Sequence, residues 1–147
     1  MKNHRHLGTY GLVIKDNQIL LIKKVSGPYD GKLDLPGGTI EFGEKVEDAL
    51  KRELKEEVGI KITDYELFDA DSVTIDWHYE KDIIKVHHVG IFFKILKYEG
   101  EIRKEILIDQ INDDSLGAEF YNIDELSKKD LSEIAILEIE KLGYKLS

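Results

Sequence analysis

Apolar and polar positions alternate with a period of two over most of this chain, and the exceptions are two stretches with helical spacing. Gly8 to Ile14 (GTYGLVI) and Gln18 to Lys24 (QILLIKK) read as strands joined by a Lys15-Asp16-Asn17 turn, a hairpin pattern. Ser26 to Lys32 is a loop by its Gly and Pro content, and Leu33 to Leu35 is a short extended segment ahead of Pro36. From about Lys45 the period changes. Val46, Ala49, Leu50, Leu54 and Val58 recur at three- and four-residue intervals, and Gly59 stands where a left-handed stop belongs. Tyr65 to Trp77 and Ile83 to Leu96 return to strand patterning around Glu80-Lys81-Asp82. Glu101 to Ile108 fits a strand less clearly, Asp109 to Gly117 reads as loop, and Ala118 to Tyr121 is a short strand. Asn122 with Glu125, and Asp130 with Glu133, resemble capping boxes, the second opening a final helix that ends near Leu142. This order predicts a mixed sheet with helices on both sides. The 147 residues fit a single domain, 1–147, with no linker or repeat.

The 45–58 helix carries an oddity. Glu53, Glu56 and Glu57 fall within an arc of roughly 100° on a helical wheel, and the arc borders the apolar stripe. Like charges at this spacing destabilise a helix by about 0.2–0.5 kcal/mol per pair. Solubilising carboxylates normally face away from the core. A hard divalent cation with oxygen ligands would offset the repulsion.

Composition narrows the options. Hydrophobic content of 41% and charged content of 35% fit a globular chain. No apolar run spans a bilayer, and the N-terminus lacks a signal-peptide core, so no membrane partner and a cytoplasmic location are expected. The net charge of −9 argues against a broad basic surface for double-stranded nucleic acid. It leaves room for a small polyanion bound through cations. The absence of cysteine excludes disulfides, thiolate zinc sites and cysteine nucleophiles.

Gly38, Glu44, Arg52, Glu53, Leu54, Glu56, Glu57, Gly59 and Ile60 satisfy GX5EX7REUXEEXGU at every fixed position, with U a bulky aliphatic. This resembles the Nudix box, the signature of the Nudix hydrolases. The preceding KLDLPGG (Lys32 to Gly38) is similar to the segment before the box in MutT-type members. The resemblance implies an α/β/α sandwich with a mixed central sheet and the box as loop–helix–loop. It also implies hydrolysis of a nucleoside diphosphate linked to another moiety, with Mg2+ or Mn2+. Metal ligands by this resemblance are Glu53, Glu56 and Glu57, with the Gly38 carbonyl, while Arg52 and Glu44 hold the loop. The general base in the family is a box glutamate or one from a distant loop. Glu119 is the downstream candidate as ligand or base, ahead of Asp113 and Asp114.

On the substrate side, strand alternation sends Lys23 and Lys24 to opposite faces, so one of them can meet phosphate. Tyr10, His88 and Phe120 are candidate substrate contacts, as are Trp77 and Tyr79, each against the competing role of core packing. Sequence markers of ADP-ribose, NADH and coenzyme A pyrophosphatases are missing, and the dinucleoside polyphosphate tyrosine is not cleanly placed. A MutT-like nucleoside triphosphate pyrophosphohydrolase is the reading left by elimination. Hydrolysis of ADP-ribose, a nucleotide sugar or a dinucleoside polyphosphate is the alternative within the class, and a non-catalytic nucleotide sensor the alternative outside it. Isopentenyl diphosphate isomerase shares the fold but relies on a cysteine. A homodimer is compatible with this reading.

Overall fold

The computed structural model describes residues 2–104 and 115–147, with 115 and 116 described by backbone alone. Two four-stranded sheets meet around β1 (Lys2–Leu12). The first runs in the order β5 (Gly37–Thr39), β1, β7 (Asp82–Glu99), β6 (Lys61–Tyr79). Only β1 and β7 are parallel, in register from Lys2↔Ile84 to Leu12↔Lys94. The second contains β2 (Ile14–Lys15), β3 (Gln18–Lys24), β4 (Leu33–Asp34) and β8 (Ser115–Asn122), all antiparallel through β3. The mixed sheet expected from the element order is therefore present. The strands begin earlier than the apolar pattern implies, because β1 and the β6–β7 hairpin run on as a three-stranded extension in which polar side chains alternate with others, Leu7, Tyr79 and Ile83 among the exposed ones.

Alternation along β3 shows how the layers form. Ile19 and Leu21 enter one core with Tyr10, Leu12, Phe92 and, from the C-terminal helix, Ile134, Ala135 and Ile139. Leu20 and Ile22 enter the other with Leu50, Leu54 and Val58 of the box helix. The helices α1 (Val46–Val58) and α2 (Glu133–Lys141) thus cover opposite faces. The apolar stripe of α1 is buried as its spacing requires, and Glu57 is buried with it. Gly59 closes α1 at φ 87°, its N–H donating to the carbonyls of Leu54 and Lys55.

The final helix starts two residues later than the Asp130 box implies. Ser132 is its N-cap, accepting from the Ala135 N–H, and its hydroxyl also donates to Asp34 98 residues away. That tertiary bond selects Ser132 over the local Asp130–Glu133 pairing, and Asp130 instead ends a 3-10 turn. Asn122 does cap, but over a 3-10 turn, Ile123–Glu125. Of the expected 101–108 strand, Glu101 to Lys104 lie outside strands, and the remainder falls outside the described residues. Among the described residues, no helix is long and apolar enough to cross a membrane.

Candidate active site

The box loop is built over β1. Gly37 sits at φ 142°, and a Cβ there would lie 2.1 Å from the Thr9 carbonyl oxygen, so only glycine passes. Its N–H donates to Glu57 Oε1 at 2.8 Å. Glu57 is 6% exposed, and burial pushes its carboxyl up to about 8. Lys24 and the Gly37 N–H act against that rise, while Glu53 and Asp34 add to it. The next residue, Gly38, faces Glu53: a Cβ on it would stand 2.5 Å from Glu53 Oε2. Glycine here lets backbone and carboxylate approach as two oxygen donors around one centre would require. Glu53, Glu57, Gly38, Lys24, Asp34 and Tyr10 all line one cavity of about 220 Å³.

Arg52 orders the rim. Its Nε and Nη2 donate to the two carboxylate oxygens of Glu44 at 2.8 and 2.9 Å, a bidentate pair. Its Nη1 donates to Glu53 at 2.9 Å and Glu56 at 3.2 Å, and Nη2 also reaches the Thr39 carbonyl at 3.0 Å. The Arg52 hydrogen bonds, with the Glu41 N–H, hold the Glu44 carboxyl down at about 2. Ion pairs this accessible contribute little to stability, so their effect is to fix the angle of the loop and of two box carboxylates.

The structure brings together some of the residues singled out in the sequence and not others. Glu53, Glu57, Gly38, Lys24, Tyr10 and His88 share the cavity, and Glu44 and Arg52 brace its edge. Glu56 is turned to Arg52, with its side chain 58% exposed. Among the described residues, no three His, Asp or Glu side chains converge closely enough to hold a metal in this arrangement. The donors that fit a hard cation are Glu53, Glu57 and the backbone of Gly38. The other residues are placed elsewhere. Lys23 is exposed opposite Leu33, as alternation with Lys24 requires. Phe120 packs against the α1-side core and lines a separate groove with Val13, Thr63 and Tyr98. Glu119 is exposed on β8 opposite Leu21, off the cavity lining. Trp77 and Tyr79 pair with each other at 4.9 Å near the β6–β7 turn. Asp113 and Asp114 lie outside the described residues.

The cavity also holds residues that sequence reasoning missed. Asp34, 2% exposed, accepts from the Leu35 N–H at 2.8 Å and from the Ser132 hydroxyl at 2.7 Å. Its place in KLDLPGG was the available signal. Tyr29, in a loop read only as Gly- and Pro-rich, and His6, on an exposed strand end, gave none.

Comparison with known proteins agrees with this geometry. The NUDIX domain family profile matches residues 4–139. Members of this family generally need a divalent metal ion. An ADP-ribose pyrophosphatase from Methanocaldococcus jannaschii is 34% identical over 85% of this chain and 66% of its own length. An 8-oxo-dGTP diphosphatase from Buchnera aphidicola is 37% identical over 63% of this chain and 64% of its own. The match thus spans just under two thirds of the length of these relatives. Among solved structures, a MutT NUDIX hydrolase from Burkholderia pseudomallei shares the fold, with a TM-score of 0.73 at 24% identity over 95% of this chain and 99% of that one. A MutT protein from Bacillus halodurans gives 0.69 at 26% identity, covering 96% and 84%. With a complete box on a helix of this fold and a profile match over nearly its whole length, the chain belongs to the Nudix hydrolase family.

Proposed function

We propose that this chain is a metal-dependent pyrophosphohydrolase that adds water across a phosphoanhydride bond of a nucleotide. The observation that carries the reading is the placement of Glu53, Glu57 and the Gly38 backbone on one small cavity, with Lys24 beside them. Mg2+ is the ion these hard oxygen donors suit, with Mn2+ able to replace it. Bound there, the ion would neutralise diphosphate charge and sharpen a coordinated water.

The protein's own residues do the rest. Glu53, Glu57 and the Gly38 carbonyl would hold the ion, and Glu56, once released by Arg52, would join them or take a proton from the attacking water. Arg52 and Glu44 keep the loop at a fixed angle, so reaction depends on positioning rather than on covalent chemistry. Lys24 offsets the negative charge of the substrate phosphates. Glu119 stays a second candidate for the proton, although on β8 it lies off the cavity lining.

The substrate class we favour is a nucleoside triphosphate, cleaved to the monophosphate and pyrophosphate, in keeping with relatives named 8-oxo-dGTP diphosphatase. The M. jannaschii relative, aligned over 85% of this chain, favours ADP-ribose as the second reading. The test is a hydrolysis panel of ordinary and oxidised dNTPs, ADP-ribose, nucleotide sugars and dinucleoside polyphosphates with Mg2+, products identified by mass. Turnover lost in Glu53→Gln and Glu57→Gln supports the assignment. Tight nucleotide binding with no turnover of any of them would make the chain a sensor.

A further inference from the structure

The inner wall of the cavity carries an arrangement the box does not require. His88 of β7 is 1% exposed and lies between two tyrosine hydroxyls. Its Nε2 is 2.5 Å from Tyr10 Oη, and its Nδ1 is 2.7 Å from Tyr29 Oη. His6 stacks on it with ring centroids 4.5 Å apart and planes at 17°, and His6 Nε2 is 3.0 Å from Thr39 Oγ1. These side chains come from β1, β7, β5 and the β3–β4 loop, and all of them line the cavity that holds Glu53 and Glu57.

The chemistry of the ring makes this chain of bonds directional. Burial keeps His88 neutral, holding its pKa down at about 3, with His6 and Lys24 disfavouring the cation further. Burial and the nearby Asp34 likewise keep the Tyr10 and Tyr29 phenols protonated. A neutral imidazole has one N–H donor and one bare nitrogen acceptor. With both nitrogens engaged by phenols, one tyrosine donates its proton to the ring and the other accepts the ring's N–H. The accepting tyrosine keeps its own O–H for another partner. Tyr10 has a second contact of consequence. A Cβ on Gly37 would lie 2.9 Å from its ring carbon Cδ1, so the ring packs directly beneath the residue whose N–H holds Glu57.

We propose that His88 is a positioning residue: it fixes the Tyr10 and Tyr29 hydroxyls on the cavity wall, leaves one phenolic proton to donate to the bound substrate, and keeps Tyr10 under Gly37, the anchor of Glu57. The proposal rests on reading this cavity as the active site. It adds the group that orders the uncharged wall facing the carboxylates.

Two measurements on the full chain test it. Long-range proton–nitrogen NMR of the metal-free protein should show His88 as a single neutral tautomer across the neutral range, and Tyr10→Phe or Tyr29→Phe should each shift one ring nitrogen. A ring that titrates like a free imidazole, or averages between tautomers, would overturn the proposal. The second measurement is steady-state hydrolysis of dGTP and of ADP-ribose with Mg2+. Tyr29→Phe removes one oxygen, and it should raise KM about tenfold while kcat changes little. His88→Phe should raise KM and lower kcat together, because Gly37 and Glu57 lose their support. His88→Gln, which keeps a donor and an acceptor, should restore most of kcat. If all three variants melt lower yet keep wild-type KM and kcat, His88 is only a packing group and the proposal fails. Should His88→Phe not fold, the Tyr29→Phe result decides. A wild-type chain that hydrolyses no compound of the nucleotide panel would defeat the hydrolase reading and the substrate contact together, while a fixed tautomer in the NMR spectrum would still support the positioning of the two tyrosines.

Discussion

Two buried glutamates, Glu57 on α1 and Glu138 on α2, are pushed by burial to the same place, about 8, and they answer it in opposite ways. Glu57 accepts the Gly37 N–H and opens onto a cavity shared with Glu53 and Lys24. Glu138 is fully enclosed, and neither of its oxygens has a hydrogen-bond partner among the described residues. The lysine closest to it, Lys141, stands 3.9 Å away and is already held by Asp69 at 2.6 Å and Asp71 at 2.5 Å. A carboxylate can only accept, so burial beside the Asp69 carboxylate favours the protonated form of Glu138. Glu57 has space beside it for an ion instead. Burial and a raised pKa therefore do not distinguish a site from a structural acid. The difference lies in what the second oxygen can reach.

The largest expected effect separates the two directly. Glu57→Gln should lower kcat about 10²–10³-fold, the scale of losing one electrostatic stabiliser in an active site, while leaving the fold intact. Glu138→Gln should leave hydrolysis within about twofold of wild type. Equal losses in both would erase the contrast. Arg52→Ala comes next. It removes one partner from each of Glu44, Glu53 and Glu56 at once, and steady-state assays should find activity down about 10–100-fold, the cost of removing an outer-shell partner. Wild-type rates in that variant would show that the rim needs no brace. A smaller contrast sits on β3. Lys24→Ala should raise KM roughly tenfold, and Lys23→Ala, on the outer face, should not change it.

The smallest effect is on stability against pH. The folded Glu138 carboxyl lies at about 8, above its ordinary value of 4.5, so its proton-linked stabilisation is whole below 4.5 and lost as pH rises through 8. The melting temperature of Glu138→Gln relative to wild type should therefore climb between pH 5 and 9. A difference that stays constant over that range would show that Glu138 holds no proton in the fold.

The parts legible in the sequence were those set by near neighbours. Val46, Ala49, Leu50, Leu54 and Val58 share one helix face, Gly59 ends the helix, and Glu57 falls beside the apolar stripe, so three- and four-residue spacing sufficed to place a carboxylate at the helix–sheet seam. Lys23 and Lys24 separated as strand alternation demands. What stayed hidden was fixed by distant partners. Ser132 became the cap through Asp34, and His88 became the centre of the cavity wall through Tyr10 and Tyr29, 78 and 59 residues away. A lone strand histidine carries no local mark of such partners. Phe120 and Glu119 were placed off the cavity because β8 alternates about β3, sending Phe120 into the α1-side core and Glu119 to the exposed surface.

The central claim is that Glu53 and Glu57 together grip a divalent cation. Titration of the nucleotide-free protein with Mn2+, followed by the loss of its free electron paramagnetic resonance signal, tests this without relying on turnover. The account predicts one bound ion in wild type and in Glu138→Gln, with affinity at least about tenfold weaker in Glu53→Gln and in Glu57→Gln. Undiminished Mn2+ binding in both box variants would contradict it.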